Sequence, residues 1–393
     1  MSDYPPSRLA EFRRGTARYT PISRLAAGGM GEVWRGEACF PDGHVEEVAI
    51  KRVVPHLANN ELYRSMLEDE ARLGMLLRHP NIVRVYDARD QGSFILVMEY
   101  VEGRSLSQLL QGHLANQASL PVAVSLHVAR EVARALEHAH NAIDELGREL
   151  HIIHGDLSPH NVLTSVHGDV KLMDFGLARA SANHVVRDPN KLSGKWGYLA
   201  PELVLHREVS QLNDVFALGI VLWECLSGRR LFTARSYAES RDLLKHCAVV
   251  SPVHHNPAVT PEIARLTEVA LAREPAQRFR SAAAFGAALD SIIETLEPGI
   301  CAQQTADLVC KHLGIARKQR ETARRPGLYS PAPSQGVLRL SDAELEDFFA
   351  NCDTTVYQRI TPSAVPPPPG LDAFVVECDT RLLRRPRDAS PLL

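Results

Sequence analysis

Long hydrophobic runs are missing from this chain of 393 residues. The longest apolar stretch, Val215 to Trp223, is nine residues bounded by Asp214 and Glu224, far short of the ~20 that a membrane-crossing helix needs. The start, Met1-Ser2-Asp3-Tyr4-Pro5-Pro6, lacks the charged segment leading into an apolar one that marks a secretory signal. The sequence therefore predicts a cytoplasmic protein with no membrane span. Paired cysteines are missing too. The seven (Cys39, Cys225, Cys247, Cys301, Cys310, Cys352, Cys378) contain no Cys-x-x-Cys and cannot all pair within one chain, which argues for reduced thiols rather than a zinc site or a disulfide framework. Nor is there an excess of one charge. Lys+Arg 44 against Asp+Glu 47 gives a net −3, so no overall field draws the chain to nucleic acid or anionic lipid. Aromatics are only 6%, but 45% hydrophobic and 23% charged residues match ordinary soluble globular composition and exclude disorder and collagen.

What is present divides the chain in three. Residues 1–19 are polar and Pro/Arg-rich and read as a flexible extension. Residues 20–297 form the expected compact unit, 278 residues long. In its first part Gly28, Gly29 and Gly31 break a hairpin, Val45 to Val53 and Ile95 to Met98 read as strands, and Leu62 to Leu77 carries helical spacing up to the stop at His79-Pro80-Asn81. From about residue 104 the character is mostly helical. Leu120-Pro121 opens a run with Val124, Val128, Val132 and Leu136 on one face, and Val215–Leu226 and Pro261–Glu294 read as further helices, interrupted around 150–202 by short strands and a long loop. Residues 298–393 hold a basic stretch at 317–325, Pro-rich linkers, and an amphipathic helix at 341–352. Its capping box, Ser341 with Glu344, and its stripe of Leu345, Phe348, Phe349 and Cys352 fit either a helix packed on the parent domain or a partner-binding motif.

The glycines at 28, 29 and 31 alone indicate only a turn between strands, and a strand-end lysine such as Lys51 is usually just solvated. Their company gives them meaning. In order come Val48-Ala49-Ile50-Lys51, then Glu70 on the following helix, Ile152-Ile153-His154-Gly155-Asp156-Leu157-Ser158-Pro159-His160-Asn161, Met173-Asp174-Phe175-Gly176 and Ala200-Pro201-Glu202. Over residues 20–297 this series resembles the protein-kinase family, specifically the bacterial eukaryotic-like serine/threonine kinases.

The resemblance implies an α+β, bilobal fold, with a small β-rich N-lobe (about 20–100) bearing one helix and a larger helical C-lobe (about 101–297). It implies ATP and Mg2+ as cofactors and protein hydroxyls as acceptors, in bacterial signalling. Gly28 and Gly31 match two glycines of the phosphate-covering loop, with Ala26 where the first would stand. Val33 and Ala49 would flank adenine, Lys51 would hold phosphates, and Glu70 would orient Lys51. Met98 matches the gatekeeper, and Glu99-Tyr100-Val101 the hinge at the adenine edge. Asp156 would orient the acceptor hydroxyl, while Asn161 and Asp174 would hold magnesium through hard oxygen ligands. Asp214 matches the buried aspartate beneath the catalytic loop, and Arg278 the partner of Glu202.

Three positions depart from the pattern. Gly155 replaces an arginine, removing the cation that grips an activation-loop phosphate. Ser158 replaces a lysine, and Lys195 stands where a threonine usually follows Gly194, so Lys195 is expected to supply the missing catalytic charge. The His-Gly-Asp loop also resembles aminoglycoside and choline phosphotransferases, making a small-molecule kinase one alternative; a nucleotide-binding pseudokinase scaffold is another.

Overall fold

The computed structural model describes residues 12–14, 17–28, 31–53, 61–90, 94–115, 118–144, 146–175, 196–206, 208–234, 236–296 and 299–315. Six strands build an antiparallel sheet: β1 (Phe12–Arg14), β2 (Ala17–Gly28), β3 (Gly31–Cys39), β4 (Val45–Val53), β5 (Val85–Asp90) and β6 (Phe94–Glu99), in the order β1-β2-β3-β4-β6-β5. β2 and β3 close at the Gly28↔Gly31 pair. Glycine is required at 31, because a Cβ there would lie 2.1 Å from the carbonyl oxygen of Arg52. Phe94 to Met98 are all buried, as expected of a strand covered on both faces, whereas β3 alternates in the manner of a strand covered on one. Helix α1 (Glu61–Leu76) packs on this sheet through Ala71, beside Val53, Val83, Leu96 and Met98.

The second part is helical around one small sheet. β7 (Gly103–Ser105), β8 (Val162–Ser165) and β9 (Val170–Leu172) pair in that order. Around them run α2 (Leu106–Ala115), α3 (Val122–His140), α4 (Pro201–His206), α5 (Gln211–Ser227), α6 (Tyr237–His246), α7 (Pro261–Ala270), α8 (Ala282–Ile293) and α9 (Ile300–Leu313). Helix α3 follows Pro121 and buries the expected stripe Val124, Val128, Val132 and Leu136. Helix α5 begins at a capping box of Ser210 and Asn213 and ends at Gly228, whose φ of 65° is the left-handed conformation glycine adopts freely. Every residue from Asn213 to Ser227 is buried, so α5 is the axis of this lobe.

Three expectations about element boundaries change. The N-lobe sheet begins earlier than residue 20, since β1 pairs with the start of β2, Phe12↔Tyr19 to Arg14↔Ala17. The single helix expected over Pro261–Glu294 is two, α7 and α8, because Pro275 cannot continue a helix and the turn it starts brings Arg278 inward. The compact part also extends past 297: α9 packs on α3, with Val309 and Cys310 against Leu109 and Val166. The proposed helix at 341–352 and the basic and Pro-rich stretches lie outside the described residues. No helix among the described residues is long and apolar enough to cross a membrane.

Candidate active site

The site is assembled where the two lobes meet, from β4, the β6–β7 connection, and the loops on either side of the β8–β9 hairpin. Strand register brings Val33 opposite Lys51 and Ala49 opposite Met98. Val33, Ala49, Met98 and Val101 then belong to one apolar cluster with Leu163 and Met173. Leu163 and Met173 were not singled out from sequence, since only the folded chain brings them against Ala49 and Met98. Together the six make one apolar patch spanning residues of both lobes. The Glu99 carboxylate is engaged elsewhere. It pairs with Lys171 Nζ at 2.8 Å and accepts a hydrogen bond from the Arg84 N–H, so only its backbone belongs to the hinge.

Lys51 Nζ lies 3.2 Å from Asp174 Oδ1, across 123 residues of sequence. Helix α1 carries Glu70, but its side chain lies outside the described residues. So do Gly176, Ser181, Ser193, Gly194 and Lys195, and the tip of the β2–β3 hairpin at 29–30. Ala26 faces solvent opposite Val33, and Gly28 ends β2. Asp174 holds a φ of 63°, uncommon for a residue with a side chain. Strain of that kind costs on the order of 1 kcal/mol and persists where the surroundings enforce it.

Asp156 and Asn161 form one unit. Asn161 Nδ2 donates to the Asp156 carbonyl at 2.9 Å and to its carboxylate Oδ2 at 3.1 Å. With both amide hydrogens so directed, Asn161 Oδ1 is the atom of this side chain through which a cation would be held. Among the described residues no cluster of three or more His, Cys, Asp or Glu could hold a metal. The two hard oxygen donors available, from Asn161 and Asp174, would fit an ion that keeps waters and takes further oxygens from phosphate, as magnesium does.

Beneath the loop sits Asp214, 1% exposed. Its Oδ2 accepts from the His154 N–H and from His140 Nε2, and its Oδ1 from the Gly155 N–H, all at 2.8 Å. Burial alone would raise this carboxyl's pKa; the His140 hydrogen bond and charge, with His154 and the Gly155 amide, outweigh it and hold the pKa below the ordinary aspartate range. His140 was not singled out from sequence. His154 accepts from the Asp156 N–H on Nδ1, donates from Nε2 to the Met173 carbonyl, and meets Phe175 edge-on at 4.8 Å. One imidazole thus joins the two loops that carry Asp156 and Asp174. Gly155 has a φ of 68°, so the residue replacing arginine is the one that takes this backbone without strain. The Ser158 hydroxyl is completely buried and has no hydrogen-bond partner among the described residues.

Further on, Arg278 donates to both oxygens of Glu202, at 2.8 and 2.7 Å. This fixes the Ala200-Pro201-Glu202 segment to the base of the lobe, as its sequence position implies.

The family model for the protein kinase domain matches residues 19–324. The chain belongs to the protein kinase family. It is 33% identical to the tyrosine-protein kinase MasK of Myxococcus xanthus over 319 residues, 81% of this chain and 49% of that protein. It is 31% identical to the serine/threonine-protein kinase PrkC of Bacillus subtilis over 273 residues, 69% and 40% respectively. The serine/threonine-protein kinase PknL of Mycobacterium tuberculosis is 33% identical over 287 residues, 71% and 67%. The chain thus spans about half or less of the first two relatives. Among solved structures, the PknI kinase domain of Mycobacterium tuberculosis matches with a TM-score of 0.51 at 26% identity, covering 71% of this chain and 97% of that one. The kinase belongs with these bacterial eukaryotic-like enzymes, and its bilobal α+β fold is theirs.

Proposed function

We propose that this kinase transfers the γ-phosphoryl group of ATP, with magnesium, to serine or threonine hydroxyls of protein substrates in bacterial cytoplasmic signalling. The observation that carries the reading is the convergence of Lys51, Asp174 and the Asp156–Asn161 unit, from three separate segments, beside the apolar cluster that holds Val33, Ala49, Met98 and Val101. Phosphoryl transfer asks little covalent work of the protein; it asks for alignment and for neutralisation of spreading negative charge. Asp156, fixed by Asn161 and the loop above Asp214, orients the acceptor hydroxyl. Lys51 steadies the nucleotide phosphates, and Asn161 and Asp174 supply oxygen ligands for magnesium, which when bound offsets charge on the transferred group. We further propose that Lys195 delivers the cationic charge that Ser158 does not, because a lysine's flexible stem can bring its point charge from either backbone position.

The test is mass spectrometry of protein substrates after incubation of the full chain with ATP and magnesium, with Asp156→Asn and Asp174→Ala as controls. Phosphoserine or phosphothreonine that both variants abolish supports the reading. Phosphorylation of small hydroxylated or aminoglycoside acceptors alone, or of nothing at all, overturns it in favour of a small-molecule kinase or a pseudokinase. Lys195→Ala should lower turnover about 10²-fold, the scale of losing one electrostatic stabiliser.

A further inference from the structure

The two proposed magnesium ligands stand at the root of one hairpin, Asn161 just before β8 and Asp174 just after β9. The Met173 N–H donates to the Asn161 carbonyl at 2.9 Å, and the ladder runs outward through Val162↔Leu172, Leu163↔Lys171 and Thr164↔Val170. At the far end the turn is closed by Ser165, whose hydroxyl donates to Asp169 Oδ2 at 2.7 Å and accepts from the His167 and Asp169 amides. A short, cross-bonded ribbon of this kind moves as one body, so whatever holds its tip sets the attitude of its root.

Two elements hold the tip. On one side α3 presents His127, whose Nε2 lies 2.9 Å from the Gly168 carbonyl, while its Nδ1 lies 3.0 Å from Arg130 Nη2. A guanidinium only donates, so Nδ1 must accept and Nε2 must carry the hydrogen that reaches Gly168. The ring is therefore neutral, in keeping with burial lowering its pKa below the ordinary histidine value. On the other side α9 closes against the turn. A Cβ on Gly168, whose φ is 91°, would come within 2.3 Å of the Ala302 carbonyl oxygen, so the turn backbone and the helix backbone are in direct contact. Val309 and Cys310 of α9 complete the seat against Val166 and Leu109, and α9 also packs on β7, the strand that follows the hinge.

We infer that Gly168, His127 and helix α9 are positioning elements of the catalytic site: they latch the hairpin tip and so fix the spacing of Asn161 and Asp174 for magnesium. None of the three touches the reacting groups. Gly168 is the critical position, since no side chain fits between turn and helix. The inference rests on the protein-kinase reading for the role of the metal, but not for the contact itself.

The full chain allows both to be read separately. Binding of a fluorescent ATP analogue, titrated with magnesium, should need about 10-fold more metal in Gly168→Ala and His127→Phe than in the parent, on the scale of losing support for a metal ligand. Nucleotide binding without metal should be unchanged. His127→Gln, which keeps a donor toward Gly168 and an acceptor toward Arg130, should restore the parent requirement. Hydrogen exchange at the Ser165, Gly168 and Asp169 amides should speed up in the first two variants and not in the third. Unaltered exchange and an unaltered magnesium requirement in His127→Phe would overturn the latch. If Gly168→Ala does not fold, Val309→Ala replaces it, and must shift the metal requirement in the same direction. A parent that shows no magnesium-dependent binding would sink the kinase reading, while exchange of the tip amides still decides whether the latch exists.

Discussion

Arg278 meets Glu202 across 76 residues of sequence, with the two side chains 0% and 4% exposed. The remaining guanidinium hydrogens go to the carbonyls of Leu212, Ala272 and Arg273, and the plane lies 4.6 Å from the Phe216 ring centroid. Asn213 Nδ2 adds a third donor to Glu202 at 2.6 Å. Such a pair contributes little over an apolar substitute, but breaking it strands a charge. Arg278→Met should therefore lower unfolding free energy by about 3–5 kcal/mol in urea titration. Arg278→Met with Glu202→Leu should lose distinctly less; equal losses would show that the charge left behind is not the cause.

Asp214 offers a second test. Asparagine in its place keeps the shape but has one accepting oxygen, and would turn an amide N–H toward a backbone N–H that now finds a carboxylate. The catalytic loop must shift, and displacement on the order of 1 Å costs about 10² in rate. Steady-state kinetics of Asp214→Asn should show that loss in kcat with little change in KM for ATP, whose proposed contacts on β4 and the hinge lie apart from this tie. A normal kcat would mean that the loop keeps its form without the carboxylate.

Gly155 bears on regulation. Without a cation there, phosphate on the activation segment has no grip at this position, so phosphatase treatment should leave the rate unchanged. Introducing the arginine, Gly155→Arg, places a side chain on a φ of 68°, a conformation that costs about 1–2 kcal/mol. Thermal unfolding should register the loss, and a stabilised variant would refute the backbone argument.

The histidines predict an acid-sensitive joint between α3 and the segment that follows α1. His79 and His138 stack at 5.0 Å. Burial lowers both, and for His79 the neighbouring His138 adds to it. A histidine whose folded pKa is depressed gives stability that is whole above its ordinary value near 6.5 and is lost as pH falls below it. Glu224, raised by burial, works in the opposite sense, since its protonation on acidification favours the folded state. The comparison must therefore be made against His79→Asn with His138→Asn. The parent's melting temperature should fall between about pH 6.5 and 5 more steeply than the variant's. Parallel curves would clear these two residues.

Much of this site was legible in the sequence because its chemistry is carried by short contiguous motifs. Lys51, Asp156, Asn161 and Asp174 each sit in a phrase whose order along the chain is informative, and Glu202 with Arg278 could be paired from position alone. The parts that were not legible depend on tertiary proximity. Nothing in the local pattern around His140 shows that its ring would meet Asp214, 74 residues away. Leu163 and Met173 read as ordinary strand residues until the two lobes enclose them. The break between α7 and α8 is hidden in the sequence because apolar spacing resumes on both sides of Pro275, and helix α9 because a Pro298-Gly299 step reads equally as an end or a turn.

The Asp214 tie has a consequence for how the protein comes into being. The catalytic loop is synthesised nearly sixty residues ahead of the carboxylate that organises its backbone. While it waits, the His154 and Gly155 amides have no such acceptor, and contacts this distant in sequence form late because chain closure must precede them. Helix α5 is itself too apolar to stand alone and must be enclosed by its neighbours. A nascent chain stalled before residue 214 would therefore carry Lys51, Asp156, Asn161 and Asp174 and still lack the carboxylate that ties the backbone of the loop between them.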